Sequence, residues 1–228
     1  MVKHHQGRLT RVYAFLTFAL ACLLTPSCRT SGEPTAVHTP SPISLSAHFK
    51  IEGDTLILDY EVTNKSNRDI YLLNRIYKTS PTWSIRPDII YVELDASTGR
   101  IELSKKLADL PEGVSVNTPV APFVTPLRSG LSFRERVQIP LPIREYRQYG
   151  MRSTSSGNDE RQAFFNSLRF TLGYYWRPEG TKEDIRDIQD TQVVLPQVPH
   201  GQSVEFEQLT TPPFNLNVPG ILPSTSSR

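Results

Sequence analysis

Two segments alternate apolar and polar residues over nine positions each, and they constrain the fold more than any other feature of the chain. Apolar side chains occupy every second position from Leu131 to Ile139 and from Leu168 to Trp176, with one exception. The exception is Glu135, a carboxylate on the apolar side of the first segment. Because successive side chains of a strand point to opposite faces, this spacing predicts strands with one buried and one solvated face. Such strands are typical of antiparallel sheets.

Shorter alternations extend the pattern along most of the chain. A hairpin is predicted where Asp95–Arg100, with Gly99 completing the turn, separates two apolar runs. Further strands are predicted at 43–50, 56–62, Ile70–Ile76, Val193–Leu195 and Val204–Phe206. Roughly seven to nine short strands joined by proline-rich connections predict an all-β fold, an antiparallel β-sandwich over residues 43–218. Helical signal is weak, and only Asp159–Phe165 and Lys182–Ile188 are expected to form short helices.

The N-terminal region has a different composition. Lys3, Arg8 and Arg11 precede the apolar run Val12–Leu24, which holds 13 residues, and no acidic residue occurs before Glu33. As a helix the run would span roughly 20 Å, against about 30 Å for the hydrocarbon core of a bilayer. This length is typical of the apolar region of a cleavable export signal, and the unopposed cations would hold the N-terminus on the cytoplasmic side.

The residues that follow resemble the lipobox of bacterial lipoproteins, in which small residues precede a lipid-modified cysteine. Ser27 before Cys28 fits that pattern, whereas Thr25 and Pro26 depart from it. The chain becomes polar directly after Cys28, which favours this cysteine as the lipidation site. The resemblance implies a signal peptide over residues 1–27 and a protein that is exported and membrane-anchored through its lipid.

Cys22 is an alternative lipidation site, preceded by Ala19-Leu20-Ala21. The same tripeptide is similar to the cleavage site of an ordinary secretory signal, so a secreted protein without lipid remains open. Arg29 does not resemble the aspartate that retains lipoproteins in the inner membrane. The expected location is therefore the outer membrane or periplasm of a bacterium.

Two stretches are predicted to lie outside the sandwich. Residues 28–42 carry little apolar mass and several prolines, so they are expected to form a disordered tether with a reach of roughly 40 Å. Residues 219–228 are mostly polar and are expected to form a disordered tail.

Three stretches resemble strands of immunoglobulin-like and fibronectin-III-like domains. TLILDYEVTNKSNRDIYLL is similar to the second and third strands of such domains, and PLRSGLSFRERVQIPLP and LRFTLGYYW are similar to later strands. The resemblance implies an immunoglobulin-like sandwich. The paired cysteines of antibody domains are missing, because both cysteines lie in the first 28 residues.

The charge balance argues against nucleic-acid partners. The chain has 25 Lys and Arg against 23 Asp and Glu, and removing Lys3, Arg8 and Arg11 leaves 22 cations against 23 anions, a net charge of −1. A protein that neutralises phosphates needs an excess of cations. The partners expected here are a membrane, reached through the lipid, and a protein of the cell envelope.

The sequence offers no pattern that predicts catalysis. His48 and His200 are the only histidines of the predicted sandwich, and neither has a second ligand at metal-binding spacing, so no metal site and no cofactor are expected. No G-x-S-x-G elbow occurs, and Asp59 and Glu61 are read as surface carboxylates. The chain is therefore predicted not to be an enzyme.

Aromatic side chains are the candidates for recognition. Trp83 lies in a long connection between two prolines, and Tyr175 lies on the predicted solvated face of the 168–176 strand. Tyrosine and tryptophan anchor interfaces because they bury a large area at low entropic cost. The alternative for Trp83 is a plug over one end of the sandwich.

Together these features predict a lipid-anchored, exported β-sandwich that acts as a binding or structural module of the bacterial cell envelope. Two alternatives stay open. The first is an accessory lipoprotein subunit of a secretion or surface assembly. The second is an enzyme whose site follows no familiar pattern.

Overall fold

Strands are the only regular secondary structure in the described part of the chain. The computed structural model describes residues 41–78, 84–110, 113, 115, 121–149, 160–189 and 191–222, and no helix occurs in these ranges. The all-β fold class and the antiparallel-rich sandwich predicted from the alternation are therefore confirmed.

Within the described ranges, fifteen strands form two main sheets and one small ribbon. The small sheet has the order β1-β2-β9 and contains β1 (Ile43–Glu52), β2 (Thr55–Asn64) and β9 (Ser132–Pro140). The large sheet contains β3 (Ile70–Arg75), β6 (Tyr91–Asp95), β7 (Arg100–Lys105), β8 (Phe123–Leu127), β10 (Ile143–Arg144), β11 (Arg161–Trp176), β12 (Lys182–Ile188), β13 (Thr191–Gln197), β14 (Glu207–Thr210) and β15 (Phe214–Leu222). The ribbon pairs β4 (Tyr77–Lys78) with β5 (Ser84–Ile85).

The small sheet follows the predicted alternation closely. β1 pairs with β2 from Ile43↔Asn64 to Glu52↔Thr55, and β2 pairs with β9 along most of its length. Its inward side chains pack against those of the large sheet in one main core. Buried members of this core include Phe49, Leu56, Leu58, Val62, Val137 and Ile139 from the small sheet and Ile70, Leu72, Ile101, Leu103, Leu168, Phe170 and Leu172 from the large sheet.

The centre of the large sheet is β11, a strand of 16 residues. Along one edge it pairs first with β15 and then with β14. Along the other edge it pairs first with β7, in parallel, and then with β3, in antiparallel orientation. The change of partner falls at Gly173, between the pairs Leu172↔Lys105 and Tyr174↔Leu72. The parallel pairs β7–β11 and β10–β15 are additions to the antiparallel pattern expected from the sequence.

The second face of β11 is not solvated along its whole length. Tyr175 packs with Tyr71, Leu73, Val124 and Val194 in a second, smaller core. The prediction that Tyr175 lies on a wet face is therefore wrong. An alternating pattern predicts one buried face, but the later strands and the segment around Val204 add a layer that covers the second face as well.

Both predicted helices are strands. Of the first predicted helix, the structure describes residues 160–165. Residues 161–165 belong to β11 and pair with β15. Lys182–Ile188 pairs with β13 along its full length as an edge strand whose charged side chains reach solvent. Local sequence favoured a helix, but cross-strand pairing decides the conformation of such edge segments.

The predicted hairpin is confirmed as β6 and β7, joined by a turn with Gly99 at a φ of 65°. The Asp95 carboxylate closes this turn by accepting hydrogen bonds from the backbone and hydroxyl groups of Ser97 and Thr98. The predicted closing strand Val193–Leu195 is confirmed within β13 (Thr191–Gln197). Val204–Phe206 forms no strand, and residues 219–222 belong to β15 rather than to a polar tail.

The partner change at Gly173 makes a prediction for stability. A Cβ atom on residue 173 would lie 2.9 Å from Cβ and 3.0 Å from Cα of Lys106, and 3.0 Å from Leu73 Cδ1. The Lys106 Cα atom belongs to the backbone and the Lys106 Cβ atom is bonded to it, so neither can move away easily. Gly173→Ala should therefore lower the free energy of unfolding by about 1–3 kcal/mol. Chemical denaturation measures the change, and Ser46→Ala on the exposed face of β1 serves as control. A Gly173→Ala protein as stable as the control would contradict close packing at this junction.

Candidate functional site

The one acidic residue on the apolar face of β9 lies at the centre of a buried polar cluster. Glu135 has a side-chain exposure of 6%, and its Oε2 atom accepts hydrogen bonds from Tyr60 Oη at 2.6 Å and from Lys105 Nζ at 2.5 Å. Arg75 pairs with the other carboxylate oxygen, Oε1. The largely buried carboxylate thus has three donors.

This cluster joins the two sheets. Tyr60 and Glu135 come from the small sheet, whereas Arg75 ends β3 and Lys105 ends β7 in the large sheet. Lys105 has a side-chain exposure of 0%, and its ammonium group also donates to the Pro87 carbonyl at 2.6 Å. A lysine at this depth is stable only with such partners, because an unpaired buried charge costs several kcal/mol.

Burial and charge act on the pKa values of these groups in opposite directions. Burial lowers the pKa of Lys105, although the attraction of Glu135 opposes this shift. Burial would raise the pKa of Glu135, but the charges of Lys105 and Arg75 and the hydrogen bonds from Lys105 and Tyr60 outweigh it and lower that pKa. Burial and the neighbouring Glu135 carboxylate raise the pKa of Tyr60, so the phenol keeps its proton and donates.

Two polar groups beside the cluster lack partners. Asn74, which precedes Arg75, is 0% exposed, and neither its amide nitrogen nor its amide oxygen makes a hydrogen bond. Arg75 Nε is likewise buried without an acceptor. The Asn74 amide lies close enough to Tyr60 to lower the pKa of that phenol against the larger effect of burial, but the geometry falls short of a hydrogen bond. Buried polar groups without partners are uncommon in native proteins and call for an explanation.

A surface cleft lies next to this cluster. Its volume is about 380 Å³, and three cations line it, Lys78, Arg86 and Arg144. Apolar side chains supply most of the remaining wall, namely Ile89, Ile90, Val92, Ile139, Pro140, Leu141 and Pro142. Ile89 also belongs to a small core with Ile76 and Tyr91, and this buried packing holds one wall of the cleft in place.

The three cations of the cleft are held in different ways. Arg86 pairs with Asp88 at 3.0 Å and Arg144 with Glu160 at 2.5 Å. Lys78 Nζ lies 4.6 Å from the centroid of the Tyr146 ring. An ammonium group over an aromatic face keeps most of its field available to an incoming anion, because the ring carries no net charge.

Asp88 connects the cleft with the buried cluster. It lines the cleft, and its Oδ1 atom is buried without a hydrogen-bond partner while Oδ2 binds Arg86. Burial lowers the pKa of Lys105. The charge of Glu135 and, to a smaller extent, that of Asp88 oppose this shift. A ligand that moved Arg86 or Asp88 would therefore change the field at Lys105.

A wider depression on the outer face of the small sheet is a weaker candidate. It measures about 480 Å³ and is lined by charged residues of β2 and β9. Arg136 forms a two-point pair with Asp59 at 2.7 and 3.0 Å, and Arg134 pairs with Glu61 at 3.1 Å. Within each pair the two charges neutralise each other, which agrees with the prediction that Asp59 and Glu61 are surface carboxylates.

Of the residues predicted for recognition, only Tyr175 belongs to the described part of the chain. Tyr175 is 6% exposed, and its ring lies 5.2 Å from that of Tyr71 and 5.6 Å from that of Phe206. Its role in binding stays a prediction, now for a side chain that the fold covers. Trp83 and the candidate lipidation sites Cys22 and Cys28 lie outside the described residues.

Sequence reasoning missed most of the cluster and all of the cleft. Glu135 was visible as a polar residue on an apolar face, but its cationic partners come from strands 30 and 60 positions away. Lys105 carried a weaker signal, because it continues the alternation of Ile101 and Leu103 on the buried face of β7. Nothing in the spacing of Lys78, Arg144 and Tyr146 placed them in one cleft.

The described residues hold no group of three or more His, Cys, Asp or Glu side chains able to bind a metal ion. In the same residues no helix is long and apolar enough to cross a membrane. His48 lies exposed on β1 and His200 in an exposed turn. No protein-family model matches the chain, and no curated protein or solved structure is significantly similar to it. The immunoglobulin-like resemblance therefore stays a prediction.

The cluster predicts a strong dependence of stability on Glu135. Glu135→Gln would leave Lys105 and Arg75 buried without an anion, and breaking a buried pair costs about 3–5 kcal/mol. The free energy of unfolding from urea titration measures the loss. Asp59→Asn, which breaks an exposed pair on the same sheet, is the matched control and should cost only a small fraction of that amount. Equal losses in the two variants would contradict the central role of Glu135.

Proposed function

We propose that this protein is a lipid-anchored, exported β-sandwich of the bacterial cell envelope that binds a small amphipathic anion in the cleft beside Tyr146. The ligand has an apolar body and a carboxylate, sulfonate or phosphate head. The protein acts as a binding module and not as an enzyme. The observation that carries the proposal is the combination of an apolar wall with three cations in one cleft.

The leader supports export and anchoring. Its cations, its apolar run of 13 residues and Cys28 follow one another in the order found in lipoprotein signals. The polar stretch up to residue 42 is long enough to hold a folded domain away from lipid headgroups. A lipid on Cys28 and a position at the outer membrane or in the periplasm follow from this proposal.

The dimensions and chemistry of the cleft support binding. Ligand sites are concave, largely apolar and about 300–1,000 Å³ in volume, with a few charged or polar groups that orient the ligand. A volume of about 380 Å³ suits a small molecule rather than a protein surface. Ile89, Val92 and Ile139 would contact the apolar body, and Lys78 and Arg144 would pair with the anionic head.

The anchor is tested by metabolic labelling with palmitate in a bacterial host. The wild-type chain and Cys22→Ala should incorporate the label, whereas Cys28→Ala should lose it, because the thiol of Cys28 carries the acyl chain. The label is read on the immunoprecipitated protein. Loss of label in Cys22→Ala alone would move the site to Cys22, and an unlabelled wild-type chain would exclude lipidation.

The cleft is tested with naphthalene-2-sulfonate as the probe, titrated by calorimetry into the full chain in detergent with a detergent blank. The double variant Lys78→Ala and Arg144→Ala should weaken binding at least about tenfold, which corresponds to about 1.4 kcal/mol. Lys182→Ala, which removes an exposed cation from the edge strand β12, is the matched control and should bind like the wild type. Equal affinity of the double variant and the control would refute the cleft as the binding site.

A further inference from the structure

Asn74 is a buried amide that the packing of the described residues leaves without polar partners. It is 0% exposed, and both polar atoms of its amide lack a hydrogen-bond partner. Leaving such an amide unpaired costs about 1–3 kcal/mol, and an apolar residue of similar size would avoid the cost. A chemical role for the amide would explain its presence.

The topology brings Asn74 to the end of the strand that carries Lys105. β3 and β7 both run along the same edge of β11 and end where they meet, at Gly173. The position of a Cβ atom on Gly173 is flanked by side-chain atoms of Leu73 and Lys106, the neighbours of Asn74 and Lys105. The C-terminal ends of strands β3 and β7 are therefore adjacent at this point.

Both side chains also point to the same face of the large sheet. Lys105 reaches Glu135 of the small sheet, and Asn74 lies beside Tyr60 of the small sheet. Tyr60 Oη and Lys105 Nζ donate to the same oxygen, Glu135 Oε2, at 2.6 and 2.5 Å. An amine, a carboxamide and a carboxyl group thus share one buried compartment between the sheets.

We propose that Lys105 and Asn74 become joined by an intramolecular amide bond, with Glu135 as the group that transfers the protons. Lysine is a nucleophile when its amine is neutral, and burial in an apolar environment favours the neutral form. A side-chain carboxamide is the electrophile. Asn74 and Lys105 are both 0% exposed, and such burial limits the access of water, the competing nucleophile that would convert Asn74 to aspartate.

The reaction balances without any further reactant. Lys105 Nζ first passes a proton to Glu135 Oε2 along their hydrogen bond, and the pair becomes a neutral amine and a carboxylic acid. The amine attacks Asn74 Cγ, so that the Nζ–Cγ bond forms. Glu135 protonates Nδ2 and then accepts one of the two protons still on Nζ, so that one N–H remains as the Cγ–Nδ2 bond breaks and Glu135 holds the proton that ammonia will take. Ammonia leaves and takes up the extra proton, and a secondary amide remains.

The surrounding groups fit this sequence of steps. Tyr60 and Arg75 bind the Glu135 carboxylate and hold it in place for both proton transfers. The Pro87 carbonyl, 2.6 Å from Lys105 Nζ, accepts a hydrogen bond from the amine and afterwards from the new amide N–H. The product also removes the charge of Lys105 from the core.

This inference goes beyond the proposed function and does not depend on it, because the compartment lies behind the cleft and no ligand takes part. The bond would close a covalent loop between β3 and β7. It would also hold the ends of β3 and β7 together at Gly173, where β11 changes partner.

Peptide mapping of the purified full chain tests the proposal. Trypsin should not cleave after Lys105, and the peptides that contain Asn74 and Lys105 should appear as one linked species. The mass of that species should lie one ammonia, about 17 Da, below the sum of the two separate peptides. The unlinked peptides should be absent or minor in the wild-type digest.

Lys105→Met, Asn74→Ala and Glu135→Gln should each abolish the linked species. Lys106→Arg, which changes the lysine that directly follows β7 and pairs with Asp109, is the matched control and should retain it. The wild-type digest is decisive even if a variant does not fold. Separate Asn74 and Lys105 peptides in the wild type, a link to another lysine, or conversion of Asn74 to aspartate would each overturn the proposal.

Discussion

The burial of one carboxylate between two sheets is the constraint on which the rest of this structure depends. A charged Glu135 in an apolar core requires donors from every side, and the fold supplies Tyr60 from the same sheet and Arg75 and Lys105 from the opposite sheet. Because these donors come from three strands other than β9, the ends of β3 and β7 must meet beneath β9. The apolar core gives the sandwich its stability, and the cluster sets the position of one sheet over the other.

The alternation of the sequence predicted the small sheet almost completely. β1, β2 and β9 each have one buried and one solvated face, so a pattern of period two is sufficient to locate them and to choose their inward residues. Glu135 could be recognised as an exception in the same way. Its partners could not, since long-range pairing joins residues whose local sequences carry no common signal.

The large sheet was less predictable because parts of it are covered on both faces. Tyr175 and Tyr71 follow the alternation but lie in a second core, and a local pattern cannot show that a further layer is present. Lys182–Ile188 failed for the opposite reason. An edge strand with solvated side chains on both faces lacks the apolar alternation that identifies a strand, and its mixed charges are equally common on helices. The cleft was invisible for a third reason, since its walls come from separate loops and strand ends.

The pairing of β1 has a mechanical consequence. This strand is the outermost of the small sheet, and the Pro42 carbonyl at its start accepts a hydrogen bond from Lys65 at 2.8 Å. Tension applied to the chain ahead of Ser41 along the axis of β1 would load its ten antiparallel pairs together. The same tension applied across the sheet would open them one after another from that first bond. The resistance of the domain to a pull from its amino end therefore depends on the direction of the pull.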